Sequence, residues 1–343
     1  MTDNPIIWKP AASRAEASAM NRFMRRNGFD NYADLYRWSI DDIAGFWEAV
    51  CDFFDVRFDK QAEDTICRPG NIMDAGWFSG SELNFASHLL RYSGDRAAII
   101  FCGEDGSRSE VSRDELRIKV GEVAAALRNA GVARGDRVAA FLPNCPEAII
   151  AMLATTSLGA IWSSCSPDFG VNGVVDRFGQ IEPKVLVATN GYLYNGKRID
   201  SLPVVYGIVE AIPSIETTVV VPFIADNAFA ESTTLVPWDA FGVAGAELTF
   251  LPVEFNHPLY IMYSSGTTGV PKCIVHGHGG TLLKHLNELG LHTDVSESDR
   301  VFYFTTCGWM MWNWLASNLA LGATIMLFDG APFAGDGRAL WKM

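Results

Sequence analysis

From residue 97 onward, short apolar runs alternate with stretches whose apolar residues recur every three or four positions. That is the rhythm of a chain that weaves a parallel sheet between flanking helices. Residues 97–102 form the first apolar run. Ser112 and Glu115 then make a capping box, Leu116, Val120, Val123 and Leu127 fall on one helical stripe, and Gly131 is placed to end that helix. The same reading predicts strands at 138–142, 160–165, 184–188, 217–221, 259–263, 301–305 and 324–328. Helices are predicted at 146–158, opened by Pro146 and closed by Gly159, and at 174–181, 281–289 and 312–321. Residues 203–213 and 224–252 collect Pro, Gly and polar side chains and read as linkers or surface excursions within one domain.

Upstream the pattern differs. Residues 1–35 are polar and weakly patterned, with Arg22, Arg25 and Arg26 reading as a solvated helix face. Ser39 and Asp42 resemble the start of a capping box, and Ile43, Phe46, Trp47, Val50, Phe53 and Phe54 then recur at helical spacing. Trp77, Phe78, Leu83, Asn84 and Phe85 follow in an irregular Gly- and Ser-rich stretch, expected as an extended arm lying on the main domain. The expected organisation is a polar segment over 1–38, a helical arm over 39–95 and an α/β domain from 96 to 343.

Composition narrows the function. With 343 residues and 49% hydrophobic content the chain can bury a large core. Its 27 basic against 40 acidic residues give a formal charge of −13, which argues against a nucleic-acid partner, because gripping a phosphate backbone needs a basic face. Anionic small molecules must then be met by local positive loops. The seven cysteines show neither CxxC spacing nor a companion histidine cluster and read as reduced core thiols. Residues 1–10 lack the basic start and apolar block of a signal peptide, and the apolar stretch 148–162 is too short and too interrupted to span a bilayer. A soluble, cytoplasmic protein without a membrane span is expected.

The stretch Tyr263-Ser264-Ser265-Gly266-Thr267-Thr268-Gly269-Val270-Pro271-Lys272 carries the sharpest chemistry. Its glycines let the backbone adopt positive φ and approach a ligand, its hydroxyls and amides donate to anionic oxygens, and Lys272 adds a point charge. It follows a predicted strand, where such a loop suits a polyphosphate. The spacing is not that of Walker A, since only two residues separate Gly266 from Gly269 and Val270-Pro271 precede the lysine. The loop resembles the phosphate-binding signature of the acyl-adenylate-forming superfamily, which holds acyl-CoA synthetases, peptide synthetase adenylation domains and luciferases. His276 and the run Gly277-His278-Gly279-Gly280 match the histidine and following helix of those enzymes, while Cys273 replaces their usual glycine.

Three further segments carry the resemblance across residues 39–343, and they match best the branch that activates acetoacetate. They are the 39–54 helix with Trp77-Phe78-Ser79-Gly80, the run 159–170 ending in Ser166-Pro167-Asp168-Phe169-Gly170, and Thr305-Thr306-Cys307-Gly308-Trp309-Met310-Met311-Trp312-Asn313-Trp314. The resemblance implies that a carboxylate oxygen of acetoacetate attacks the α-phosphorus of MgATP, and that the thiol of coenzyme A then displaces AMP. It implies phosphate contacts from Ser264, Ser265, Gly266, Thr267, Thr268, Gly269 and Lys272, with Lys272 and Thr267 as candidate catalytic residues. Trp309, Gly308, Met311 and Asn313 are the candidate acyl pocket, with Asn313 standing where acetate-activating relatives often carry histidine. Gly196, Lys197 and Arg198 form a turn that reads equally as a coenzyme A phosphate contact and as a solvated basic turn. Family members continue past the sheet reached here, with adenine, ribose and Mg²⁺ contacts and a small cap domain, so the chain is expected to be an N-terminal fragment without adenylation activity of its own. Acetate or another short acid as substrate, and a non-catalytic nucleotide-binding remnant, remain alternatives.

Overall fold

The computed structural model describes residues 7–67, 72–224, 235–264 and 269–343. Among these residues the expected strands assemble into two sheets. The larger has seven strands in the order Leu235–Pro237, Thr217–Val221, Val185–Thr189, Arg137–Phe141, Ile161–Cys165, Pro258–Ser264 and Lys272–Gly277. All its neighbours are parallel except the last pair, a hairpin. The smaller has four strands in the order Arg300–Phe302, Thr324–Asp329, Ala97–Gly103 and Arg108–Ser112, with only the last pair antiparallel.

Burial on both sides explains why these strands read as unbroken apolar runs. Val138 and Ala140 face a core shared with Ile99, Phe101, Ile325 and Leu327 of the smaller sheet, while Ala139 and Phe141 face a second cluster under the helices Val171–Phe178 and Leu202–Ala211. The helix Pro146–Ser157 is buried along its whole length. Its three buried polar residues can lie there because Thr155, Thr156 and Ser157 donate to carbonyls three or four residues back.

Several expectations shift. The Ser112–Glu115 capping box and the positive φ of Gly131 and Gly159 are present as read. Residues 203–213 are no linker, because Pro203 sits in the first turn of Leu202–Ala211 and Val205 and Ile208 bury its inner face. The weakly patterned start forms the helices Ala12–Ala17 and Ala19–Arg26, and Phe23 lies wholly inside the core while Arg22, Arg25 and Arg26 face solvent. Asp42 alone caps Ile43–Phe53, accepting from the Gly45 amide, whereas Ser39 lies inside the preceding helix Tyr32–Asp41. Five cysteines are buried thiols, but Cys67 and Cys273 are exposed. Among the described residues no helix is long and apolar enough to cross a membrane.

Candidate functional site

The C-terminal ends of the parallel strands gather on one side of the larger sheet, where ligands of open α/β sheets bind. The strand Pro258–Ser264 turns there into the loop that returns as Lys272–Gly277, a strand the sequence reading did not anticipate. Its side chains are largely exposed because it is the sheet edge, and Ile274 and Val275 face solvent rather than core. Ser265, Gly266, Thr267 and Thr268 lie outside the described residues. On either side of them the loop is defined: Gly269 has φ +95°, the Pro271 carbonyl accepts from Gln180 Nε2 at 2.9 Å, and Lys272 pairs with Ser264.

Alternation along this hairpin sorts its side chains by face. Tyr263 points to the face covered by the helices Val171–Phe178 and Leu202–Ala211, where its hydroxyl accepts from Ser163 Oγ at 3.0 Å and Arg177 lies 5.8 Å from its ring. Arg177 also stacks 4.6 Å over Phe169, while Asp168 and Asp176 are exposed. Met262 points to the other face and packs on the main core. Ser264 shares that face with Met262, and Lys272, directly opposite Ser264, shares it too.

The tryptophan-rich segment bridges the two sheets. Ser164 Oγ donates to the Cys307 carbonyl at 2.6 Å, and Cys307 Sγ lies 3.3 Å from the Pro143 carbonyl. A Cβ at Gly308 would lie 3.5 Å from the Ser166 amide nitrogen, an ordinary contact distance. Trp309, 66% exposed, precedes the helix Met310–Ala316, Met310 is exposed and Met311 half-buried. Trp312 instead is the core tryptophan, stacked on Trp162 with centroids 6.4 Å apart. Asn313 is 4% exposed, with Nδ2 3.4 Å from Met262 Sδ.

Asn144 was not singled out from the sequence, yet it holds these ends together. Its amide N–H donates to Asp329 Oδ1 at 2.9 Å, its Nδ2 reaches the Thr305 and Phe328 carbonyls, and its Oδ1 accepts from Trp312 Nε1. Burial pushes the Asp329 carboxyl up to about 6, against the Asn144 hydrogen bond and with help from the nearby Glu104 and Asp168 charges. The only sequence signal for Asn144 was its place between a strand and a proline-opened helix.

The coenzyme A candidates lie on a ribbon, Gly191–Tyr194 paired with Lys197–Asp200. Asn195 and Gly196 both have positive φ, the geometry of a two-residue hairpin turn. Their amides donate to Glu104 at 2.9 and 2.7 Å, and the Ala331 amide donates to the same carboxylate. An anion arriving at this turn would meet the side chains of Lys197 and Arg198, because the backbone donors are already taken. No group of three or more His, Cys, Asp or Glu able to hold a metal ion occurs among the described residues.

A family model described as AMP-binding enzyme matches residues 85–343, and one described as acetyl-coenzyme A synthetase N-terminus matches residues 32–89. The chain belongs to the AMP-binding enzyme family. Within that family it is 46% identical to an acetoacetyl-coenzyme A synthetase of Rhizobium meliloti, over 98% of this chain and 53% of the relative. It is 38% identical to a malonamoyl-CoA synthetase of Penicillium aethiopicum, over 96% of this chain and 48% of that protein. The solved acetoacetyl-CoA synthetase from Streptomyces lividans superposes with a TM-score of 0.90 at 40% identity, covering 96% of this chain and 52% of the other. The chain spans about half the length of the relatives it matches.

Proposed function

We propose that this chain carries the phosphate-binding and acyl-binding part of an acid–thiol ligase that activates acetoacetate with ATP and passes it to coenzyme A through an acyl-adenylate. The observation that carries the reading is that Ser264, Lys272 and Met262 share one face of the hairpin and Asn313 Nδ2 lies 3.4 Å from Met262 Sδ, which sets the strand ends flanking the glycine- and hydroxyl-rich loop beside a segment rich in apolar side chains. A carboxylate is a poor acylating group, and adenylation gives it a phosphate leaving group. A loop of amides, hydroxyls and one lysine stabilises the charge that grows on departing pyrophosphate. Here Ser264, Gly269 and Lys272 would flank the phosphates, joined by Ser265, Gly266, Thr267 and Thr268, and Mg²⁺ would travel on the nucleotide's own oxygens. Trp309, Gly308, Met311 and Asn313 would line the acyl end, and Lys197 and Arg198 beside Gly196 would meet a coenzyme A phosphate. We further propose the division into a segment 1–38, an arm 39–95 and an AMP-binding domain from 96, acting in the cytoplasm on small molecules alone. The two family models, which overlap at residues 85–89, support a boundary between the arm and the main domain.

The test is MgATP binding to the purified chain and, on the chain joined to the C-terminal half of a relative, exchange of labelled pyrophosphate into ATP driven by acetoacetate, acetate, propionate or butyrate. Exchange fastest with acetoacetate supports the reading, and exchange fastest with acetate rejects the acid assigned. MgATP binding without exchange under any acid favours the nucleotide-binding module as the function of this chain.

A further inference from the structure

The ribbon formed by Gly191–Tyr194 and Lys197–Asp200 pairs with no third strand among the described residues, and a two-stranded ribbon alone is marginal in water. Its base is fixed just past the strand Val185–Thr189, where the Ser201 amide donates to the Asn190 carbonyl at 3.1 Å. Its tip is fixed by a single carboxylate from the other sheet. Glu104, one residue past the strand Ala97–Gly103, accepts the Asn195 amide on Oε2 at 2.9 Å and the Gly196 amide on Oε1 at 2.7 Å, and Oε2 also takes the Ala331 amide at 2.7 Å.

The backbone makes room for this contact. A Cβ at Gly330 would lie 2.5 Å from the Glu104 Cβ, so only glycine lets the side chain run across that loop to reach Ala331 and the ribbon tip together. The Glu104 amide is held as well, donating to the Asp329 carbonyl at 3.1 Å. An ionised carboxylate suits three N–H groups, because it has two oxygens and no donor of its own, and bonds to it are the strong kind. Glutamine has the same shape but would turn its NH₂ group towards one of those amides.

Lys197 and Arg198 follow the tip directly, so what holds the tip holds their backbone. We propose that Glu104 is a positioning residue for phosphate recognition: by clamping the Asn195–Gly196 turn to the end of the smaller sheet, it keeps Lys197 and Arg198 in place to receive a phosphate group of coenzyme A. The tip is then ordered on folding, and the ligand does not have to order it on binding. The inference rests on the coenzyme A reading of this turn and adds the residue that sets its geometry. Charge makes the test sharp. Neutralising Glu104 removes a negative charge near the turn and by itself favours an anion, so a loss of affinity on neutralisation reports movement of the tip.

The experiment titrates the 343-residue chain with coenzyme A and with 3′-dephospho-coenzyme A by calorimetry, and follows hydrogen exchange at the Asn195 and Gly196 amides. Wild type is expected to protect both amides. Glu104→Gln, folded by thermal melt, is expected to lose that protection and to bind coenzyme A about tenfold more weakly. Once Lys197 and Arg198 are both replaced by Ala, the same change is expected to make no further difference, whereas a merely structural role leaves the losses additive. A weakened affinity for either ligand supports the clamp, and the difference between the two ligands in wild type tells whether the 3′-phosphate or the diphosphate is held. Affinity unchanged or raised in Glu104→Gln overturns the proposal, as does free exchange of the two amides in wild type, a result that needs no variant. Coenzyme A binding that is absent in wild type, or indifferent to loss of both cations, brings down the coenzyme A reading and the proposal with it. Binding that depends on the cations but not on Glu104 overturns the proposal alone.

Discussion

Asn144 accepts the indole N–H of Trp312 at 2.9 Å, and through its other atoms it also holds Asp329 and the ends of two strands. One side chain thus fastens the tryptophan helix to the place where the two sheets meet. Replacing it leaves a buried indole N–H and two carbonyls without partners at once. Asn144→Ala is expected to destabilise the chain by about 3 kcal/mol in urea denaturation. A double-mutant cycle with Trp312→Phe should show non-additivity above about 0.5 kcal/mol. Additive losses would mean that the indole bond contributes nothing.

Lys272 should behave in the opposite way. Its side chain is exposed and its backbone position is fixed by pairing with Ser264, so Lys272→Ala is expected to change stability by less than about 0.5 kcal/mol. Affinity for MgATP should fall about tenfold or more, since a hydrogen bond from a charged donor to phosphate is lost. Calorimetric titration beside a thermal melt separates the two effects. Unchanged nucleotide affinity would remove the lysine from the site.

Much of this arrangement was legible in the sequence because the signals were local. The Ser112 box, the apolar runs of the parallel strands and the loop ending in Lys272 are each set by neighbouring residues. What escaped was long-range. Lys272–Gly277 reads as loop because its apolar residues point to solvent at a sheet edge, and Leu202–Ala211 was hidden by a proline that sits harmlessly at its first turn. Asn144 and Glu104 gain their importance from partners 91 to 227 residues away, a relation no window of sequence contains.

Asp329 holds a carboxylate where burial and two acidic neighbours oppose it. Its folded pKa near 6 lies above its ordinary 3.8, so the native state binds the proton more tightly. Its ionisation therefore costs stability progressively as pH rises from about 4 to 6, and the full cost is present above that window. Asp329→Asn keeps an oxygen for the Asn144 amide and removes the charge. The variant is expected to gain about 1 to 2 kcal/mol at about pH 8, with the gain shrinking towards about pH 4.5. A gain independent of pH, or a loss at pH 8, would show that the charge is not the cause.

Three buried histidines set the opposite slope. Burial lowers His88 to about 4, His278 to about 3 and His285 to about 4 from the ordinary 6.5. Each is engaged through a ring nitrogen: His88 Nε2 with the Arg57 carbonyl, His285 Nδ1 with Ser317 Oγ, and His278 Nδ1 accepting from the Phe85 amide. The last bond requires that nitrogen to be free of a proton. With folded values below the unfolded one, the unfolded chain binds more protons, so the stability these residues contribute is complete above about pH 6.5 and drains away as pH falls towards 4. His88→Gln can keep a donor to the Arg57 carbonyl while removing the titration. Urea unfolding free energies between pH 7 and 5 should then show an acid slope flatter than wild type by about 1 kcal/mol per pH unit. A slope equal to that of wild type would place the acid lability elsewhere, since nothing else at this position can take up the proton.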